Sequence, residues 1–315
     1  MKRRHNWDIK KEWIVEYPGV VPALYHMVNL FTDPGDGVLL FTPVYYPFYN
    51  AVRKGGRTLV ESRLLLTGDH YEIDFADFEE KAKDPKNKLL LLCSPHNPVG
   101  RVWTKEELSQ IADICYENGT LVISDEIHAD LTLPPYKHPT FALISEKARM
   151  NSLVFMSPSK AFNMPGLASS YAIIENDELR HQFQVYMEAS EFSEGHLFAY
   201  LSVAAAYSHG TEWLDQVIAY IKGNIDFTES YLKERIPAIR MIRPQASYLI
   251  FLDCRELGLS QEELNLLFVE DAHLALNEGT TFGKEGEGFM RLNVACPRAT
   301  LEKALRQLEQ AINNR

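Results

Sequence analysis

Short apolar runs bounded by turn residues alternate with amphipathic stretches along much of the chain. The apolar runs predict buried β-strands at Gly37–Thr42, Leu89–Cys93, Thr120–Ser124, Leu153–Ser157 and Ser170–Ile174. Amphipathic periodicity predicts helices at Pro22–Phe31, Lys105–Asn118 and Glu178–Ala189. Alternating strands and helices favour the α/β class, with a mostly parallel sheet between layers of helices.

After Gly210 the pattern changes to a long amphipathic stretch that continues to Glu234. The remaining residues predict two strands and two helices, at Ile239–Arg243, Tyr248–Asp253, Gln261–Glu270 and Thr300–Ile312. We therefore predict a large domain over residues 1–212 and a smaller C-terminal α+β domain over residues 213–315. A cleft between two domains is a common location for a cofactor.

The composition allows a large core and argues against several kinds of partner. With 315 residues and 46% hydrophobic content, the chain is long enough for two domains. A formal net charge of −11 opposes binding to nucleic acid or anionic lipid, and no apolar run is long enough to span a bilayer. We therefore expect a cytoplasmic protein with neither partner. The four cysteines lie far apart, so we expect reduced thiols and no metal site.

Four short polar segments stand out against this background: Ser94–Gly100 (SPHNPVG), Ser124–His128 (SDEIH), Ser157–Lys160 (SPSK) and Arg291–Ala295 (RLNVA). The first three lie at or just beyond the carboxyl end of a predicted strand, and the fourth lies within or beside one. In an open α/β sheet, ligands bind at the edge formed by these carboxyl ends. The segments are therefore candidates for a shared site.

Each segment alone also has an ordinary structural explanation. Asn97 with its neighbouring Pro and Gly could form a β-turn, and Asp125 could cap the following helix. Lys160 could be a solvated lysine, Arg291 could pair with one of the many acidic residues, and His128 could be a buried core histidine. The segments taken singly do not decide between these alternatives.

Together and in this order, the segments resemble fold-type I enzymes of the class I and II aminotransferase family, which use pyridoxal 5′-phosphate (PLP). The closer resemblance is to the carbon–sulfur lyase branch, the cystathionine β-lyase (MalY/PatB) type. It extends along the chain through Arg3–Trp7, Pro18–Ala23, Thr42–Tyr45 and Ala295–Arg298. The resemblance implies a PLP cofactor, a small amino acid as substrate and a homodimer.

The resemblance also implies roles for individual residues, with Lys160, Asp125 and Tyr45 as the catalytic candidates. Lys160 would carry the cofactor as a Schiff base and then move the Cα proton. Asp125 would face the pyridine nitrogen and keep it protonated, so that the ring can accept electrons from the substrate. Asn97 would donate to the phenolic oxygen, and His128 stands where many relatives have a tyrosine. Tyr45 would stack on the ring.

The remaining roles concern anionic groups. The backbone amides near Gly19, Val20 and Val21, at a predicted helix start, would bind the cofactor phosphate together with the hydroxyl of Ser157. The planar guanidinium of Arg291 would bind the substrate α-carboxylate through two hydrogen bonds.

Two departures from the family pattern affect the expected activity. Many aminotransferases have a phosphate-binding arginine where this chain has Ala168, and its absence favours the lyase branch. Relatives also carry a further N-terminal segment before the position of Met1, so we expect weaker PLP binding and activity than in a full-length relative.

Three functions remain open at this stage. The first is a β-lyase that cleaves L-cystathionine or a cysteine S-conjugate to a thiol, pyruvate and ammonia. The second is an aminotransferase that uses the same residues, and the third is a weakly active regulatory homologue that binds a protein partner.

Overall fold

The computed structural model describes residues 1–191 and 196–315. Within these ranges the helices are α1 Lys2–His5, α2 Val20–Phe31, α3 Tyr46–Lys54, α4 Phe75–Ala82, α5 Lys105–Glu117, α6 Glu146–Met150, α7 Asp177–Ala189, α8 Leu197–His209, α9 Thr211–Arg235, α10 Gln261–Leu266 and α11 Arg298–Asn313. The strands are β1 Ile14–Tyr17, β2 Gly37–Thr42, β3 Thr58–Thr67, β4 His70–Ile73, β5 Asn87–Cys93, β6 Leu121–Asp125, β7 Ser152–Met156, β8 Ser170–Ile173, β9 Arg240–Ile242, β10 Leu249–Asp253, β11 Asn277–Glu278 and β12 Phe289–Asn293.

The larger sheet has the strand order β1-β8-β7-β6-β5-β2-β3-β4. Its central pairs, from β7 through β6, β5 and β2 to β3, are parallel, whereas β1, β8 and β4 add antiparallel edges. The predicted α/β class with a mostly parallel sheet is therefore confirmed. Because β5, β6 and β7 are adjacent and parallel, their carboxyl ends lie side by side at one edge of the sheet.

Helices cover both faces of this sheet, and alternate strand residues pack on opposite sides. In β2, Val38 and Leu40 contact the layer formed by α2, α3 and α7, while Leu39 and Phe41 contact the layer formed by α4 and α5. All six residues of β2 are buried. A strand that is buried on both faces reads as a continuous apolar run, which is why the sequence pattern identified it.

The C-terminal residues form a second, antiparallel sheet in the order β11-β12-β10-β9. Helices α9 and α11 pack with it in a separate apolar cluster that includes Ile250 and Leu252. This arrangement is the α+β type expected for the smaller domain, while the boundary at residue 212 stays a prediction. No helix in the described ranges has the length and apolar character needed to cross a membrane.

The predicted elements differ from the observed ones mainly at their ends and in the first part of the chain. Strand β6 ends on Asp125 and β7 ends at Met156, each within one residue of the prediction. The helix predicted at Gln261–Glu270 is α10 followed by a π-helical turn at Leu267–Asp271. Strands β1, β3, β4 and β11 and helices α1, α3, α4, α6 and α8 were not predicted.

Candidate active site

The sheet edge formed by β5, β6 and β7 brings three of the four candidate segments together. Asn97 follows β5, Asp125 ends β6, and Ser157 and Lys160 follow β7. Backbone hydrogen bonds tie these ends to one another: the N–H of Ser94 donates to the carbonyl of Asp125 at 2.9 Å. The fourth segment enters from the smaller sheet, because Arg291 on β12 donates to Asn97 Oδ1 at 3.0 Å.

Asp125 has a buried carboxyl group whose pKa lies near neutral pH. Burial raises its pKa to about 7, although the N–H of Ile127, which donates to Oδ1 at 3.1 Å, and the nearby charge of Lys160 oppose the shift. Asp125 and Lys160 are therefore close enough to interact electrostatically. A perturbed carboxyl at the ligand-binding edge of a sheet is a common feature of functional sites.

Arg291 is a largely buried cation without an anionic partner among the described residues. Its Nη1 donates to Asn97 and its Nη2 donates to Asn277 Oδ1 at 2.7 Å, while the guanidinium lies 4.6 Å from the ring centre of Phe282. The Nε atom of Arg291 is buried and has no hydrogen-bond partner among the described residues. Burial lowers the pKa of Arg291. A desolvated cation that lacks an acidic neighbour is suited to an anionic ligand.

His128 and Tyr45 lie at the same site and are both shifted towards their neutral forms. Burial, with the charges of Lys160 and Arg291, lowers the pKa of His128 to about 3, so its imidazole is neutral at physiological pH. Its Nδ1 is buried and has no partner in the described ranges. Burial and Tyr46 raise the pKa of Tyr45 to about 12, and the backbone N–H of Tyr45 donates to the carbonyl of Asn97 at 3.0 Å.

The candidate phosphate-binding groups lie beside the antiparallel pair of β1 and β8. Tyr17 pairs with Ser170 in this register, and Gly19, two residues after Tyr17, is the N-cap residue of α2. No side chain caps the N-terminus of α2, so its first amides are available to an anion. The hydroxyl of Ser157 donates to the carbonyl of Ser169 and accepts from the N–H of Ser159 at 3.1 Å.

Lys160 lies in the turn after β7, which is closed by a 2.8 Å hydrogen bond from the N–H of Phe162 to the carbonyl of Pro158. It lines a cavity of about 520 Å³ together with Tyr248 and Cys296 and with Trp213 and Tyr220 of α9. Of the site residues predicted from the sequence, Lys160 alone lines this cavity among the described residues.

The sequence model of the family described as aminotransferase class I and II matches residues 1–308. The chain belongs to this family. The match leaves only the last residues outside it, so membership rests on nearly the whole sequence and not on one motif.

The relatives of this chain include members of the carbon–sulfur lyase branch. The chain is 42% identical to cystathionine beta-lyase PatB of Bacillus subtilis, over 99% of this chain and 81% of the relative. It is 34% identical to protein MalY of Escherichia coli, over 98% and 79%. Among solved structures, cystalysin from Treponema denticola, which contains a PLP cofactor, matches with a TM-score of 0.98 at 38% identity, over 100% of this chain and 80% of that one. The predicted family and branch are confirmed.

Four residues at the candidate site were not identified from the sequence: Ser169, Tyr248, Asn277 and Phe282. The hydroxyl of Ser169 is buried and has no partner in the part of the chain that the structure describes. The ring of Tyr248 lies 6.3 Å from that of His128. Ser169 directly precedes a predicted strand and Tyr248 is the first residue of another, which was an available signal. The contacts of Asn277 and Phe282 with Arg291 depend on the fold alone.

Proposed function

We propose that this chain is a PLP-dependent carbon–sulfur β-lyase that cleaves L-cystathionine or a related cysteine S-conjugate to a thiol, pyruvate and ammonia. The observation that carries the proposal is the convergence of Lys160, Asp125 and Arg291 at one edge of the sheet, in a chain 42% identical to a cystathionine β-lyase. These three groups would supply a base, a ring-facing acid and a carboxylate-binding cation.

The residues present fit PLP. Three polar atoms of the site, namely His128 Nδ1, Ser169 Oγ and Arg291 Nε, are buried without partners among the described residues, which indicates that a polar ligand completes their hydrogen bonds. The uncapped start of α2 suits the phosphate, and Asp125 suits the pyridine nitrogen. Asn97 accepts from Arg291 through Oδ1, so its amide N–H groups would remain free to donate to the phenolic oxygen.

When bound, PLP supplies an electron sink for the negative charge that develops at the substrate Cα. Lys160 Nζ would remove the proton from Cα, and this loss allows the thiolate to leave from Cβ. Asp125 would hold the proton on the ring nitrogen, while Tyr45 would keep the ring plane fixed. Arg291 would bind the α-carboxylate and so set which substrate bond faces Lys160.

Ala168 favours the lyase over the aminotransferase alternative, because many aminotransferases have an arginine at this place. Both reactions require the same base and the same acid, so the principal residues do not separate them. Retention of Lys160 argues against a homologue that acts only by binding a protein.

We further propose a cytoplasmic homodimer. Helix α8 presents Leu197, Phe198 and Leu201 to solvent with exposed fractions of 66%, 62% and 57%, and an apolar surface of this kind is suited to contact with a second copy. Size-exclusion chromatography with light scattering measures the mass in solution. A monomer at micromolar concentration would contradict the proposal.

The activity is tested by incubating the protein with PLP and L-cystathionine while thiol and pyruvate are measured together. Equal release of thiol and pyruvate is expected. The same protein is then assayed with L-cystathionine and a keto acid for amino transfer. Transfer that exceeds elimination would make the aminotransferase alternative correct, and the absence of both would refute an amino-acid enzyme.

A further inference from the structure

The guanidinium of Arg291 is held from two sides by uncharged amides. Asn97 Oδ1 accepts from Nη1 at 3.0 Å, and Asn277 Oδ1 accepts from Nη2 at 2.7 Å. The ring of Phe282 lies against the guanidinium at 4.6 Å. These three contacts fix the plane of the group. They leave its positive charge uncompensated, because an amide oxygen accepts a hydrogen bond without carrying a charge.

Two other arginines of the same domain bind carboxylates instead. Arg243 donates to Asp226 and Glu229, and Arg255 donates to both oxygens of Asp253. These partners raise the pKa of each arginine, whereas burial lowers that of Arg291. The chain has 43 acidic residues, yet none lies within ion-pair distance of Arg291 among the described residues. Arg298 of this domain also donates to an amide oxygen, that of Asn224, so what sets Arg291 apart is its buried Nε, which has no hydrogen-bond partner among the described residues.

Asn277 is held in place by backbone contacts on both sides. It pairs directly with Arg291 in the register of β11 and β12. The 3-10 helix Gly279–Phe282 follows, and the carbonyl of Phe282 accepts from the N–H of Val44 at 2.9 Å. The side chain of Asn277 is itself exposed, so its replacement opens no cavity in the core.

We propose that Asn277 is a positioning residue that makes Arg291 selective for the substrate α-carboxylate by orienting the guanidinium without neutralising it. The inference rests on the proposed function. It concerns selectivity between amino acids and the corresponding amines, and it assigns Asn277 no contact with the reacting atoms.

The test compares Asn277→Ala and Asn277→Asp in the PLP-bound protein. L-Alanine, which has no leaving group at Cβ, and ethylamine, its decarboxylated counterpart, are titrated while the visible absorbance of the cofactor is followed. Asn277→Ala frees one side of the guanidinium, so L-alanine binding should weaken about 3- to 10-fold, as expected for one side chain that must be immobilised on binding. Ethylamine binding should not change.

Asn277→Asp provides the sharper comparison, because aspartate keeps the accepting oxygen but adds a negative charge. If Asn277 only held the structure together, aspartate would restore normal binding. We expect instead that L-alanine binding weakens about 10- to 100-fold, because the new carboxylate competes with that of the ligand for a charged hydrogen bond. The KM for L-cystathionine should rise in the same order, from wild type through Asn277→Ala to Asn277→Asp, while kcat changes little.

Asn265→Ala is the matched control. Asn265 donates to Glu278, the neighbour of Asn277 on β11, and has no contact with Arg291. Equal weakening by Asn265→Ala and Asn277→Ala would overturn the proposal, since it would mean that both merely loosen β11. Normal L-alanine binding by Asn277→Asp would also overturn it.

Arg291→Lys separates this inference from the proposed function. If this variant binds L-alanine normally, Arg291 is not the carboxylate-binding group and the role of Asn277 fails with it, whereas release of thiol and pyruvate from L-cystathionine tests the lyase function independently. If Arg291→Lys weakens binding while both Asn277 variants bind normally, the role of Arg291 stands and only the role of Asn277 is refuted.

Discussion

Replacing Asp125 with asparagine should stabilise the PLP-free protein at alkaline pH while it abolishes most turnover. The carboxyl of Asp125 is buried, and its pKa is raised to about 7 from 3.8 chiefly by burial. At pH values above 7 the folded protein must keep this carboxylate charged in a poorly solvated position. Asparagine has the same shape and retains Oδ1 for the N–H of Ile127, but it carries no charge.

The magnitude follows from the linkage between pKa and stability. The raised pKa means that the folded protein binds a proton more tightly than the unfolded chain, so this group contributes most below pH 3.8 and its contribution is lost as pH rises through about 7. A displacement of about 3 pKa units corresponds to about 4 kcal/mol in total. Between about pH 5 and about pH 8 the loss is roughly 2 to 3 kcal/mol.

The assay is urea unfolding of the PLP-free protein, followed by tryptophan fluorescence at about pH 5 and about pH 8. The gain in the free energy of unfolding of Asp125→Asn over wild type should be larger at the higher pH by roughly 2 to 3 kcal/mol. Asp69→Asn is the control, because the Asp69 side chain is 88% exposed and its replacement should change stability little at either pH. An Asp125→Asn gain that is the same at both pH values would refute the reasoning.

Two further changes test other parts of the structure. Burial alone would raise the pKa of Asp130, but bonds from His5 and Arg4, each 3.0 Å long, hold it below its usual value. Asp130→Asn should therefore lower the free energy of unfolding near neutral pH by about 3 kcal/mol, with a smaller loss in acid. The side chain of Asp215 is 62% exposed, so Asp215→Asn should lower the free energy of unfolding by less than about 1 kcal/mol in the same urea titration. Lys160→Ala should retain PLP without covalent attachment and lose turnover. Borohydride treatment and mass spectrometry should then find no modified lysine, and modification elsewhere would contradict the assignment.

The central strands could be predicted from the sequence because burial on both faces leaves an unbroken apolar run. Strand β3 could not, since it lies near the edge of the sheet and mixes buried, half-buried and exposed positions without regular alternation. Strand β1 has four residues, and it is defined as a strand only by pairing with β8, far along the chain. Short edge strands of this kind depend on their partners and not on their own pattern.

For the site, the sequence located the groups that follow strand ends but not the groups that position them. Asp125 and Lys160 follow recognisable strands, so the ligand-binding edge of the sheet predicts that they lie near one another. The contact between Arg291 and Asn277 depends on strand register, and the contact of Asp130 with Arg4 joins positions 126 residues apart. Neither has a local signature, because both are set by how distant elements pack.

The shifted pKa values divide the buried and half-buried charges into two groups with different physical origins. Burial would raise the pKa of Asp130 and Asp253, but His5 and Arg4 outweigh it at Asp130 and Arg255 and Arg240 outweigh it at Asp253, so the fold itself compensates these two carboxylates. Burial shifts Asp125, His128 and Arg291 towards their neutral forms. Such groups reduce the stability of the protein alone, and they are retained where a ligand supplies the missing charge. A substrate carboxylate beside Arg291 and a protonated ring nitrogen beside Asp125 would supply the missing opposite charges, so under the proposed function the same lack of compensation that weakens the fold would contribute to ligand binding.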